Sequence, residues 1–225
     1  GVMNTDNMAV SGETIDYGPC AFMDNYSLKT VFSSIDHGGR YSYGNQPSIA
    51  HWNLVRFAEA ILPAIDDDEK KALEMAQTAL NDFVTIYKNK WLSMMRRKLG
   101  LFSIHREDEG LINRFLSWME KRGCDFNYSF YCLEDDDLLK KEFVDDPVFE
   151  NWLVDWKKRL SANKESFEKS KEMMRLNNPF VIPRNSVVEE ALNAVYKSED
   201  FGLIKSLISV LKNPYKRRAG IEKYS

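Results

Sequence analysis

The sequence predicts a mainly α-helical domain with a short hairpin-and-loop region at its start. Three observations carry this. From Gln46 onward apolar residues recur every three or four positions, as the buried stripe of a helix requires. Residues 1–46 instead hold six of the eleven glycines and few long apolar runs, a composition of loops and short strands. Helix start and stop residues also punctuate the second part at regular intervals.

The first helix is predicted over 47–62. Pro47 suits the first helical position, where its missing N–H costs nothing, and Ile49, Trp52, Val55, Ala58 and Ile61 form the buried stripe. A long helix over about 68–98 opens on the acidic run Asp66–Glu69 and closes on Arg96, Arg97 and Lys98, both ends complementing the helix dipole. Gly100 is its stop. A helix over about 109–122 carries Leu111, Ile112, Phe115, Leu116 and Met119 on one face, with Gly123 as its stop. Asp146–Pro147 starts the next, with Phe149, Trp152, Leu153, Trp156 and Leu160. Another spans about 164–176. Asn178–Pro179 breaks it, and the prolines of FVIPRN keep that stretch extended. Two short helices, about 186–197 and 200–212, complete the pattern before Asn213–Pro214. The acidic runs Asp66–Asp68 and Glu134–Asp137 read as solvated helix ends or loops. No internal repeat is visible. The domain reading is residues 1–46 as a catalytic-loop, metal-binding and activation-like region, and 47–225 as a helical lobe, together one domain.

Bulk properties exclude several classes of function. The chain has 225 residues, 44% hydrophobic and 29% charged, with a formal net charge of -3. That balance gives no global electrostatic case for nucleic acid or an anionic membrane. No apolar run approaches the ~18 residues of a membrane span. GVMNTDNMAV has neither the basic nor the apolar region of a signal peptide, and it lacks an initiator Met, so the sequence reads as starting inside a longer frame. Cys20, Cys124 and Cys132 lack the close spacing of a zinc site and the pairing of a disulfide framework. A reducing, cytoplasmic compartment is the resulting expectation.

The stretch GVMNTDNMAVSGETIDYGPCAFMD carries the chemistry. Asp6 and Asn7 present a carboxylate and an amide oxygen side by side, hard ligands suited to Mg²⁺. Asp16, ten residues on and followed by Tyr17-Gly18, is a second carboxylate able to return to the same ion across a tight hairpin. Protein kinases use this logic, with an Asn and the Asp of a D-F-G segment holding the metals on the nucleotide phosphates. On spacing alone, Asp6 and Asp16 also fit a helix cap and a turn.

These residues resemble the SelO family (selenoprotein O, YdiU or UPF0061). GVMNTDNM at 1–8, TIDYGP at 14–19, FMD at 22–24, GRYSYGNQP at 39–47, WNLVRFAEAILP at 52–63, NPFVIPRN at 178–185 and LKNPY at 211–215 all look like family segments. The resemblance implies a protein-kinase-like fold of which this chain is the C-lobe portion. It implies an enzyme that moves AMP from ATP onto Ser, Thr or Tyr hydroxyls of protein substrates, with the nucleotide reversed relative to kinases. Asp6 resembles the base for the acceptor hydroxyl. Asn7 resembles a Mg²⁺ (or Mn²⁺) ligand, and Asp16 a second metal ligand and nucleotide contact. The family's N-lobe, with its phosphate-binding cations, is absent from this chain, as is a Cys-containing tail, so the fragment alone is expected to be inactive. The alternatives are a catalytically silent, pseudokinase-like binding module and a conventional protein kinase. The second lacks support, because Asp6 and Asn7 are adjacent rather than five apart as in H-R-D-x-x-x-x-N.

Smaller features have mostly structural readings. His37 fits a turn, Arg40 a salt bridge, His51 helix packing, His105 an exposed position and Cys20 a buried thiol. Met94, Met95, Met173 and Met174 fit core filling. Lys216-Arg217-Arg218 fits a solvated tail.

Overall fold

The structure, a computed structural model, describes residues 1–14, 20–143, 145–217, 220, 221 and 224. Nine α-helices form among them: α1 (Gln46–Ile65), α2 (Glu69–Lys98), α3 (Asp108–Arg122), α4 (Phe126–Cys132), α5 (Asp136–Glu142), α6 (Pro147–Leu160), α7 (Phe167–Asn177), α8 (Asn185–Ser198) and α9 (Gly202–Leu211). The chain divides into two compact units, Gly1–Cys20 with Ser27–Trp91, and Ala21–Tyr26 with Leu92–Ser225. No helix among the described residues is long and apolar enough to cross a membrane.

The mainly helical expectation holds, and the N-terminal hairpin does not appear among the described residues. Residues 8–14 contain a turn, with the Gly12 N–H donating to the Ala9 carbonyl at 3.0 Å and Gly12 at φ +72°. Asn7 Nδ2 donates to the Val2 carbonyl and Asn53 Nδ2 to the Met3 carbonyl. The β pairing among the described residues is one antiparallel bridge, Asn25 with Asp125. It is closed by Tyr26 N–H to the Cys124 carbonyl (2.9 Å) and Phe126 N–H to the Asp24 carbonyl (2.8 Å).

In the first unit α1 runs three residues past its expected end, with Pro63 inside it. Proline there forfeits one backbone bond, to the Glu59 carbonyl, near a terminus that is losing bonds anyway. The buried position of α1 is Asn53, whereas Trp52, expected in the apolar stripe, is 41% exposed. His51 packs as expected, its ring 5.7 Å from that of Phe83.

The second unit holds the larger core. Phe115 of α3 stacks on Trp152 of α6 with centroids 4.2 Å apart, and Phe149, Trp118 and Phe130 surround them. Each buried aromatic of this kind stabilises by roughly 1.5–3 kcal/mol. The three indoles also keep their N–H groups bonded, Trp118 to Asp146 Oδ2, Trp152 to the Leu111 carbonyl and Trp156 to the Leu99 carbonyl, at 2.9–3.0 Å. Gly100 and Gly123 both take the left-handed conformation (φ +71° and +64°), as their role as helix stops requires. The acidic run at 134–137 contains a helix start, with Asp135 accepting from the N–H groups of Asp137 and Leu138. In the FVIPRN stretch Phe180, Val181 and Ile182 are buried, and the N–H groups of Phe180 and Val181 donate to the Pro214 carbonyl at 2.8 and 3.2 Å. The stretch packs with α8 and α9 through Ala191, Leu207 and Val210. Of the four methionines expected in the core, Met95 and Met174 are fully buried, and Met94 and Met173 are half-buried.

Candidate functional site

The first described candidates lie on a single 3₁₀ turn, Thr5–Asn7, so Asp6 and Asn7 are brought together at the surface. The turn closes with the Asn7 N–H on the Asn4 carbonyl at 3.0 Å. Asn7 Nδ2 donates to the Val2 carbonyl at 3.0 Å, which leaves Oδ1 as the acceptor that the amide can offer to a ligand. Both side chains are exposed. Asp16 lies outside the described residues. Among the described residues no three His, Cys, Asp or Glu side chains converge as a metal site. The donors of the turn, one carboxylate and one amide oxygen, are hard oxygens of the kind Mg²⁺ or Mn²⁺ takes, and they fit such an ion as part of a larger set completed by phosphate.

Two side chains that the sequence patterns did not single out hold this turn. Asn53, in the middle of α1, donates through Nδ2 to the Met3 carbonyl at 2.9 Å and contacts Met8 Sδ at 2.6 Å. Tyr41 donates its hydroxyl to Asn4 Oδ1. The signal for Asn53 was a polar residue between Trp52 and Leu54 in an apolar stretch. Tyr41 had no signal beyond its place in GRYSYGNQP.

Tyr41 is itself fixed by Asp36, whose two carboxylate oxygens accept the backbone N–H groups of Arg40 (2.8 Å) and Tyr41 (2.9 Å). His37 sits in this turn, as expected. Asp36 thus takes the backbone of Arg40, and the Arg40 guanidinium lies over the Trp52 ring, 5.0 Å from its centroid, with Arg56 at 5.4 Å from the same ring. The cation–π contact replaces the expected salt bridge as the structural role of Arg40. Arg56 also pairs with Glu59 at 2.7 Å.

In the second unit the FMD motif is anchored. Met23 is buried, and Asp24 is gripped by Arg184, which donates to Asp24 Oδ1 and Asp125 Oδ2, both at 2.6 Å. Two segments 160 residues apart in sequence, FMD and NPFVIPRN, are therefore joined by one guanidinium. All three cysteines are free thiols. Cys20 is exposed, against the expected burial, whereas burial pushes the Cys132 thiol up to about 12 and makes it inert.

A family model described as "Protein adenylyltransferase SelO" matches residues 1–212. A protein nucleotidyltransferase YdiU of Nitrosococcus oceani is 51% identical over 225 residues, all of this chain and 45% of that protein. A YdiU of the same description from Clostridium botulinum is 51% identical over 215 residues, 96% of this chain and 44% of that protein. One from Bacillus cereus is 48% identical over 224 residues, 100% of this chain and 46% of that protein. The chain thus spans somewhat less than half the length of the curated relatives it matches. With a family model over nearly its whole length and relatives named for nucleotidyl transfer, this chain belongs to the SelO family.

Proposed function

We propose that this chain is the catalytic-loop and C-lobe part of a kinase-like, ATP-dependent protein adenylyltransferase, and that it carries the base and the metal ligands of the reaction. The observation that supports the reading most directly is the turn at Thr5–Asn7, which sets a carboxylate beside an amide oxygen on an exposed, externally braced loop. The description of the family and the names of the relatives support the reaction class.

In the proposed reaction a hydroxyl oxygen of a protein substrate attacks the α-phosphate of ATP. A new P–O bond forms to the acceptor, the bond to the β-phosphate breaks, and pyrophosphate leaves. Asp6 accepts the hydroxyl proton, which raises the nucleophilicity of the oxygen as it attacks. Asn7 and Asp16 would hold Mg²⁺ or Mn²⁺, and a bound divalent ion supplies neutralisation of the developing phosphate charge. The braced turn contributes positioning, because transfer of this kind depends on reacting groups held in line.

Incubating the full-length protein with ATP labelled at the α-phosphate and a protein acceptor tests the reading. An adenylyl adduct on a Ser, Thr or Tyr, identified by mass spectrometry, is the expected result. A phosphoryl adduct would favour a conventional kinase, and no adduct with ATP bound would favour a silent binding module.

A further inference from the structure

We infer that Asn53 and Tyr41 are positioning residues that clamp the Asp6–Asn7 turn from outside, Asn53 from helix α1 and Tyr41 from the 36–41 turn. The inference rests on the proposed roles of Asp6 and Asn7. The three contacts fall on Met3, Asn4 and Met8, so they bracket Thr5–Asn7 on both sides and touch neither functional side chain.

The chemistry of Asn53 points the same way. It is 5% exposed, yet its Oδ1 is buried with no hydrogen-bond partner. Buried acceptors in this state are rare in folded proteins. The opposite flip of the amide is no remedy, since it would set Oδ1 against the Met3 carbonyl, two acceptors facing one another. A side chain present only for packing would be apolar and would leave no orphan. The donor half of the amide accounts for the residue: it reaches the Met3 carbonyl and Met8 Sδ at once, which an aliphatic side chain cannot do. Tyr41 has a similar division. Asp36 fixes its backbone, so its hydroxyl reaches Asn4 from a prepared position. These hydrogen bonds fall beside Asp6 and Asn7 rather than on their side chains, so each residue acts through the placement of Asp6 and Asn7, where an error of about 1 Å lowers turnover on the order of 100-fold.

The test uses the full-length protein with Asn53→Leu, Tyr41→Phe, Asp6→Ala and Asn7→Ala, each measured for the turnover rate of AMP transfer and for the Mg²⁺ concentration giving half-maximal rate. Asn53→Leu is expected to lower the rate on the order of 10- to 100-fold and to raise the half-maximal Mg²⁺ concentration severalfold, because Asn7 is displaced. Tyr41→Phe removes one exposed hydroxyl without disturbing a core. It is expected to shift both readouts in the same direction by a smaller factor, and it becomes the deciding variant if Asn53→Leu does not fold. A purely structural role would lower the amount of folded enzyme and leave the Mg²⁺ dependence of the folded fraction unchanged. Wild-type turnover and Mg²⁺ dependence in folded Asn53→Leu or, failing that, in Tyr41→Phe, with Asp6→Ala and Asn7→Ala impaired, would overturn the clamp alone. Full activity of Asp6→Ala and Asn7→Ala would overturn the clamp together with the functional reading on which it rests.

Discussion

Asp108 is fully buried at the start of α3, between two guanidiniums. Its Oδ2 accepts from Arg96 Nε at 2.5 Å and from the His105 N–H at 3.0 Å, and its Oδ1 accepts from Arg159 Nε at 2.7 Å. Burial pushes its carboxyl upward, but the hydrogen bonds from Arg159, His105 and Arg96 outweigh this and hold it below the ordinary value. Replacing Asp108 by Asn should therefore cost about 3–5 kcal/mol, since two largely buried cations lose their counter-charge. A urea titration at pH 7 reads this loss. Because the folded carboxyl titrates below the unfolded one, its contribution is present above about pH 4 and is lost as pH falls through the folded value. Asp108→Asn should accordingly flatten the acid limb of the stability profile. Lys98 gives the opposite limb. It is 9% exposed, and burial lowers its ammonium to about 8. Between that value and 10.5 the unfolded state binds more protons, so stability rises with pH. From pH 7.5 to 9.5 the wild type should gain on the order of 2 kcal/mol relative to Lys98→Met, read from urea midpoints at the two pH values. At the proposed site, Asp16→Ala in the full-length enzyme should abolish labelling from α-labelled ATP. Asp6→Ala should slow transfer and spare ATP binding, because a base acts on the acceptor. An unimpaired Asp16→Ala enzyme would remove the metal assignment.

At the scale of elements, the pairing of α3 with α6 is the central packing event of the second unit. Phe115 and Trp152 stack at 4.2 Å, and Trp152 Nε1 donates to the Leu111 carbonyl across the same interface. Trp152→Ala should destabilise by about 3–5 kcal/mol, through the lost burial and the cavity left behind. Thermal unfolding followed by circular dichroism gives the measurement, and a change under about 1 kcal/mol would show that α6 is held by other contacts. The start of α6 was readable residue by residue. Asp146 accepts from the N–H groups of Val148 and Phe149 while Pro147 opens α6, the arrangement that Asp-Pro announces. The short helices α4 and α5 were not readable, because seven residues give too few turns for a periodic stripe. Of their caps, Asp135 lies in the acidic run read as a helix end or loop, and nothing in the sequence singled out Asp125.

At the scale of the molecule, the chain spans less than half of the relatives it matches, and nucleotidyl transfer depends on cations that hold phosphate as well as on a base. The chain has no Gly-x-Gly-x-x-Gly phosphate loop. The isolated 225-residue chain is therefore expected to show a strongly helical circular dichroism spectrum and no measurable AMP transfer. Loss of a single stabilising group at such a centre costs on the order of 10²–10³ in rate. Supplying the remainder of the full-length protein should restore transfer. Robust labelling by the chain alone would place the phosphate-binding groups within it.

Local features were legible in the sequence. Helices α1, α2, α3, α6, α7, α8 and α9 follow from apolar spacing and from Pro, Gly and Asp at their ends, because those signals act within a few residues. The pairing of Asp6 with Asn7 was legible for the same reason: adjacent residues need no fold to meet. The tertiary structure decided what depends on distant partners. It turned Asn53 inward and left Trp52 exposed, because Asn53 finds the Met3 carbonyl fifty residues away and Trp52 finds Arg40 and Arg56. In the described part of the expected hairpin it formed a turn, with the Gly12 N–H on the Ala9 carbonyl. It also assigned Arg184 to Asp24, Lys98 to Asn178 and Asp108 to Arg159, pairs separated by 160, 80 and 51 residues, which no local pattern specifies.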